Sequence, residues 1–284
     1  MGAKSSRNTT QNNRSDGHLL EYFRNTFVRG GGGTNAGVTF GPPLGHTATG
    51  GVISDYNDGT GAIYRAHIFT STSTFNVTAL SSTYPAGIEY LVVAGGGAGG
   101  YEAGGGAGGF RTNQSGHPLA TGNPSFTVTA GPTTYTVTIG AGGAGGPSPW
   151  LGGNGVNSYF GPPSTPAGIT ANGGGGGAQY NTTNAGNGGS GGGSASLPTS
   201  GWGYGYNPST PAPVLAAAPL PSPYAITQGN PGAASNSVSG GGGGAGGAGN
   251  SGGPYPGPGG KGGIGARTDI AGSNYPIGTP GPGG

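Results

Sequence analysis

The sequence predicts a mostly β and irregular fold: a short N-terminal helix, a small antiparallel β domain, and a glycine-rich domain in which polyglycine II helices bundle beside short strands. Three observations predict it. Gly (74) and Pro (25) make up about 35% of the 284 residues, and Leu, Ile, Val and Phe together only about 14%, below the roughly 20% expected where an ordinary core is buried. Nine Lys and Arg against seven Asp and Glu leave a net charge of only +2, without the high net charge that usually accompanies disorder. The glycines also come in runs, the major ones each led by a β-like segment, and the residues that interrupt them recur at a spacing of three.

The first segment is residues 1–33. A polar, basic start (Lys4, Arg7, Arg14) leads into Asp16 to Arg29, where Asp16 suits an N-cap, Leu19, Leu20, Phe23 and Phe27 share one helical face, and Gly30 to Gly33 form an abrupt stop. A short amphipathic helix is expected. Two roles are open to its apolar face: packing on its own neighbouring domain, or docking onto another subunit or a larger particle, for which these four residues are the attachment candidates. Met1-Gly2-Ala3-Lys4-Ser5-Ser6 also fits the myristoylation pattern, a short one that recurs by chance.

Residues 34–94 read as a small antiparallel β unit. Ile63 to Phe69 and Thr74 to Leu80 are rich in β-branched and aromatic residues with partial alternation, and Asp58-Gly59 signals a hairpin turn. Asp55-Tyr-Asn57-Asp58-Gly59 invites a calcium reading. Its glycine falls one position early for an EF-hand loop and no Glu closes it, so turn chemistry is the better account.

From residue 95 to 284 strand-like pieces alternate with glycine runs. Ile88 to Ala94, Tyr135 to Ile139, Gly168 to Asn172 and Ser237 to Ser239 each lead into one. Within the runs, Ala98, Tyr101 and Ala107 keep the three-residue phase, as do Ala141, Ala144 and Pro147; Asn184, Asn187 and Ser190; Ala245, Ala248, Ser251 and Pro254; and Lys261 and Ile264. Neither an α-helix nor a strand prefers that period, whereas a polyproline II-like helix has three residues per turn and no internal hydrogen bonds. Its N–H and C=O groups must pair sideways, and glycine alone lets the neighbouring backbones approach closely enough. The competing reading is a flexible low-complexity linker.

Charge excludes much chemistry. No Asp, Glu, Lys or Arg occurs from Thr112 to Gly260, so acid/base catalysis and electrostatic capture of nucleic acid have almost nothing to work with there. His18, His46, His67 and His117 are far apart in sequence, Cys is absent, and neither GK[ST] nor G-x-S-x-G occurs. No enzyme, cofactor or metal site is expected, and a glycan depolymerase would need paired carboxylates. No run approaches the ~18 apolar residues of a membrane span, and no signal-peptide h-region is expected at the N-terminus.

Recognition is therefore expected in neutral loops. In the longest, Trp202, Tyr204 and Tyr206 alternate with small residues, which in an extended chain puts three rings on one side. Such rings suit sugar faces or neutral protein surfaces; they could equally cover the bundle itself. Trp150, Tyr159, Phe160 and Tyr180 are further candidates of the same kind.

The pieces Tyr64-Arg-Ala-His-Ile-Phe69, Thr74-Phe-Asn-Val-Thr78, EYLVVAGGGAGG, AGGFRT, YTVTIGAGG, GNGVNSYFG and ITANGGGGG occur in that order within residues 62–265. This stretch resembles the glycine-rich domain of bacteriophage tail-fibre and other virion structural proteins. Related glycine-rich folds occur in tip adhesins of some T-even-like phages, where a polyglycine II bundle presents loops to a host receptor, and in some animal receptor kinases. The resemblance implies a virion component, extracellular when functional, that binds a bacterial surface glycan or outer-membrane protein non-covalently. Other virion proteins and sister copies of the chain, a trimer being the common fibre state, are the implied further partners. A purely structural filament or a head or tail decoration protein is the alternative. No receptor-binding residues carry over.

Overall fold

In the computed structural model, the described residues are 45–57, 63–100, 103–120, 123–131, 134–145, 151–162, 168–179, 185–195, 228–233, 239–253, 257–268 and 270. All of them belong to one compact unit, Leu44–Gly284. The helix expected over residues 16–29, with Leu19, Leu20, Phe23 and Phe27, lies outside the described residues. Among those described, helix is confined to one 3-10 turn, Pro118–Ala120.

Eleven short strands are described: β1 Thr47–Thr49, β2 Val52–Asn57, β3 Ile63–Ile68, β4 Ser73–Ala79, β5 Gly87–Ile88, β6 Leu91–Val93, β7 Phe110–Thr112, β8 Phe126–Thr127, β9 Thr134–Thr138, β10 Ser158–Gly161 and β11 Ile169–Ala171. Five form an antiparallel sheet in the order β1-β4-β9-β10-β11, and β2-β3, β5-β8 and β6-β7 make separate pairs. The strands expected around Ile63 to Phe69, Thr74 to Leu80, Tyr135 to Ile139 and Gly168 to Asn172 are all present. The sheet takes strands from both sides of residue 94, so the two segments separated there by sequence share one core.

That core follows from the two-residue repeat of a strand. Phe75 and Val77 on β4, and Tyr135 and Val137 on β9, point to the same buried face, with Phe75 opposite Tyr135 in register. The small pairs bring Tyr90, Val92, Phe126 and Val128 onto it, and Ile169 and Ala171 complete the cluster. Aromatic rings meet there at tilted angles, Phe126 and Phe160 at 4.7 Å and Phe75 and Tyr135 at 6.2 Å between ring centroids, within the range at which ring pairs attract beyond their buried area.

β1 and β2 are split by Gly50 and Gly51, both at positive φ. A Cβ on Gly50 would collide with the Thr74 carbonyl oxygen. This bend leaves β1 in the large sheet with β4 while β2 departs with β3 as a two-stranded arm. Of the β unit expected over 34–94, β1 and β4 thus join the large sheet, β2 and β3 make the arm, and β5 and β6 pair with β8 and β7 from beyond residue 94.

Candidate interaction surface

Five of the glycine runs begin or end beside a strand. Residues 94–100 follow β6, 103–109 precede β7, 140–145 follow β9, 151–157 precede β10 and 172–178 follow β11. The runs carry no regular helix or strand, and their backbone groups pair sideways. Ala94, Gly97 and Gly100 donate to the carbonyls of Gly109, Gly106 and Ala103. On another side, Gly95 and Ala98 donate to Val156 and Gly153, and on a third their carbonyls accept from Gly174 and Gly177. Donors to any one neighbour therefore recur every third residue.

In the run 172–178, buried from Gly173 to Ala178, the pairing can be followed group by group. Gly174 and Gly177 donate to Gly95 and Ala98, and Gly175 and Ala178 to Ser190 and Gly193. Asn172, Gly173 and Gly176 donate to side-chain amide oxygens of Gln228, Asn157 and Asn154 at 2.8 Å each. The carbonyls of residues 172 to 177 accept from Gly109, Gly189, Gly155, Gly106, Gly186 and Gly152 in turn. Sequence reading missed Asn154, Asn157 and Gln228. Their only signal is an amide side chain at the margin of a glycine run, which does not reveal which neighbour lacks an acceptor.

Glycine is required in this array by proximity. A Cβ on Gly95, Gly106, Gly173 or Gly176 would overlap a carbonyl oxygen of the next run, whereas at Gly96 and Gly142 the nearest atom lies at 3.6 and 3.7 Å. Several residues that keep the three-residue phase, among them Ala141, Ala144, Asn187, Ala248, Ser251, Lys261 and Ile264, are exposed. Ala98 and Ala107 are half-buried, and Ser190 and Ala245 are buried.

The pairing directions give the array two distinct ends. Partner numbers fall as donor numbers rise between 94–100 and 103–109, which are antiparallel, and rise together between 172–178 and 94–100, which are parallel. By the same reasoning 94–100, 140–145, 172–178, 190–195 and 228–233 lead away from the strands, and 103–109, 151–157, 185–189 and 239–244 return. The described ends flanking 101–102, 146–150, 180–184 and 234–238 all lie remote from the sheet, as does Ala195, which precedes 196–227. At this end Ala103, Ala178, Ala185 and Ala195 form a small buried cluster, where only methyl groups separate the backbones.

Of the ring candidates, Trp150, Tyr180, Trp202, Tyr204 and Tyr206 lie outside the described residues. In sequence they fall within 146–150, 180–184 and 196–227. Tyr159 and Phe160 are on β10, at the sheet end. Phe160 packs among Phe75, Phe126 and Tyr135, and the half-buried Tyr159 hydroxyl donates to the Pro162 carbonyl at 2.8 Å. Both rings are thus engaged within the domain, because the alternation of β10 is read by packing against β9 and β11, a partnership absent from local sequence.

Ionisable groups are few and individually placed. Arg65 donates from Nε and Nη2 to the two carboxylate oxygens of Asp55, both at 2.7 Å, and this bidentate bond holds the Asp55 carboxyl below its ordinary pKa. Burial lowers the pKa of the Arg111 guanidinium, which donates to Asn123 Oδ1 at 3.0 Å and to the Thr170 carbonyl at 3.2 Å. Burial raises the pKa of the Tyr90 and Tyr159 hydroxyls. His46 and His117 each bridge two backbone groups: Nε2 donates to a carbonyl, of Pro85 or Arg267, and Nδ1 accepts an N–H, from Ser81 or Leu119. These contacts assign each ring one neutral tautomer. Among the described residues no three His, Asp or Glu are grouped so as to hold a metal ion, and no helix is long and apolar enough to cross a membrane.

A family model described as a glycine-rich domain matches residues 70–284. No curated protein and no solved structure gives a significant match.

Proposed function

The chain belongs to the glycine-rich domain family, and on that premise we propose that it is a bacteriophage virion structural protein, a tail fibre or adhesin that binds a bacterial surface non-covalently. We infer that its runs are polyglycine II helices. In support, donors recur every third residue toward each neighbour, which matches the three residues per turn of that helix. Dense lateral pairing offsets the ordering of glycine backbone, which costs roughly 1 to 2 kcal/mol per residue. The array is then a stiff, nearly uncharged scaffold whose work is display.

One observation carries the display reading. The described ends that flank 146–150 and 180–184, and Ala195 before 196–227, lie together at the end away from the sheet, while Gln228 after 196–227 pairs with Phe110 of β7; these sequence segments contain Trp150, Tyr180, Trp202, Tyr204 and Tyr206. Rings carried there would meet a surface glycan or outer-membrane protein with apolar area and polar tips. Residues 1–33, through Leu19, Leu20, Phe23 and Phe27, attach the chain to other virion proteins or to sister copies in a homo-oligomer, a trimer being the reference case. The protein acts without catalysis, cofactor, nucleic acid or membrane insertion, and its place is the virion surface.

The test is binding of the purified chain to host cells or their envelope glycans. Joint replacement of Trp202, Tyr204 and Tyr206 by Ala is expected to abolish binding and leave assembly unchanged. Loss of assembly with cell binding intact would refute the site assignment. A self-assembling filament or decoration protein is the second reading, favoured by the exposed apolar face of the β2-β3 arm.

A further inference from the structure

The β2-β3 arm is paired only with itself, in a register unbroken over six pairs from Val52 with Ile68 to Asn57 with Ile63. A two-stranded hairpin alone is marginal in water, so the arm needs a layer against it. Cross-strand partners share a face. One face carries Val52, Ser54 and Tyr56 opposite Ile68, Ala66 and Tyr64; the other carries Ile53 and Asp55 with Ile63, Arg65 and His67. The second face holds the ion pair of Asp55 with Arg65 and leaves Ile53 49% and Ile63 77% exposed. On the first face Ser54, Tyr56, Ala66 and Ile68 are half-buried, and Tyr56 and Tyr64 stack at 5.7 Å. That face holds no charge.

The chain's own C-terminal part reaches the first face by a fixed route. His117 Nε2 donates to the Arg267 carbonyl at 2.8 Å. The Thr268 hydroxyl donates to Gln114 Oε1 and accepts the Ile270 N–H at 3.3 Å, and the Ile270 carbonyl accepts from the Tyr56 hydroxyl at 3.0 Å. Arg267 and Thr268 are thus tied to the turn at 114–117, and Ile270 to the arm. Residues 271–284, which lie outside those described, continue from this point. Ahead of them on the same face, Val52 is 68% and Tyr64 47% exposed.

We propose that residues 271–284 dock along the first face of the arm and clasp the C-terminal segment to it. The chemistry matches. These fourteen residues contain no Asp, Glu, Lys or Arg, and Tyr275, Pro276, Ile277, Pro280 and Pro282 supply their apolar surface. Proline fixes φ near about −65°, so the segment is extended before it docks and loses little freedom on docking. Extended Pro-rich segments dock on aromatic-lined surfaces, here the Tyr56 and Tyr64 pair. The reach also fits: from Tyr56 to Val52 is four residues of strand, about 14 Å, which an extended segment rising about 3.1 Å per residue covers in about five. Five residues beyond Ile270 bring Tyr275, Pro276 and Ile277 to Val52 and Ile68. Tethering selects this occupant over a separate molecule. Held at Ile270, the segment meets the arm at an effective concentration on the order of millimolar, so a contact with a Kd of about 100 μM is occupied about nine-tenths of the time. A free partner would have to reach that concentration in solution. The clasp is independent of what the remote loops bind.

The chain has no cysteine, so introduced thiols report the contact in the full chain. Val52→Cys with Ile277→Cys places one thiol on the first face; Ile53→Cys with Ile277→Cys places it one residue on, on the opposite face. At about 1 μM protein, a short bis-maleimide is expected to link the first pair at least tenfold faster than the second, and within one chain, as read by mass spectrometry of the digested monomer. A second measurement needs no cross-linker. Maleimide labelling of Ser54→Cys, a near-isosteric change at the centre of the face, is expected to quicken at least fivefold when Tyr275→Ser, Pro276→Ser and Ile277→Ser are added. Circular dichroism checks that each variant folds. Equal linking of the two pairs, or a residue 54 thiol indifferent to the three serines, would overturn the clasp. Links found only between two chains would overturn it too, by assigning the face to a second copy. None of these results touches the reading of the remote loops, whose test is cell binding.

Discussion

Adding one methyl group at Gly106 tests the backbone array directly. Gly106 is buried, donates to the Gly175 carbonyl and accepts from Gly97, both at 2.8 Å. A Cβ there would lie 2.6 Å from the Gly191 carbonyl oxygen and closer still to that of Ser190. Ordinary carbon contacts begin near ~3.5 Å, so residues 190–193 would have to retreat by about 1 Å. That movement takes Ser190 N–H to Ala107 and Gly193 N–H to Gly104, now 2.9 and 2.8 Å, beyond hydrogen-bond range. Each buried pair left unmade costs about 1–3 kcal/mol, and the stiffer unfolded chain returns about 0.4–1 kcal/mol. Gly106→Ala should therefore destabilise by about 1–6 kcal/mol. Gly142 supplies the control: it is exposed, its φ is not in the left-handed region, and its nearest neighbour atom is 3.7 Å away. Gly142→Ala should be neutral or stabilising by up to about 1 kcal/mol. Denaturant titration followed by circular dichroism measures both. Equal stabilities for the two variants would refute the argument that proximity, and not glycine content, holds the array together.

Ala178→Val adds two methyl groups in the fully buried alanine cluster with Ala103, Ala185 and Ala195, and overpacking should cost about 1–3 kcal/mol, read as a lower denaturation midpoint. Phe160→Ala removes a ring from the Phe75, Phe126 and Tyr135 cluster. A loss of about 3 kcal/mol is expected, the lower end for buried Phe because this ring is half-exposed, with cell binding per folded molecule unchanged. For Asp55, the Arg65 bond sets the sign: its folded pKa lies below the unfolded one. Its contribution is fully present above the unfolded value near ~3.9 and is lost as pH falls through the lower folded value. With both side chains about half exposed, the effect should stay under about 1 kcal/mol and vanish in Asp55→Asn, measured by stability at pH 7 and below pH ~3.

Much of the strand pattern was legible along the chain. Alternation in Thr74 to Leu80 and Tyr135 to Ile139 marked β4 and β9, because a strand writes its buried face into every second residue. The runs were legible as runs, and the three-residue phase suggested lateral pairing before any pairing was visible. The separation of β1 from β2 was not, since it turns on the approach of Gly50 to Thr74, a contact with a residue twenty-four positions away. Phe160 shows the same limit: its neighbours along the chain are Tyr159 and Gly161, and the rings it packs against, Phe75, Phe126 and Tyr135, come from segments remote in sequence.

Composition by itself determined that this chain has little side-chain core, almost no charge through its centre, and a backbone that must satisfy itself sideways. Only the tertiary structure decided which run lies beside which, where amides from Asn154, Asn157 and Gln228 take the place of a missing neighbour, and which end of the array is remote from the sheet. The reason is that glycine has no side chain to record its surroundings. Gly106 and Gly142 are the same letter, and the difference between a position that cannot accept a methyl group and one that can exists only in the distance to the next backbone.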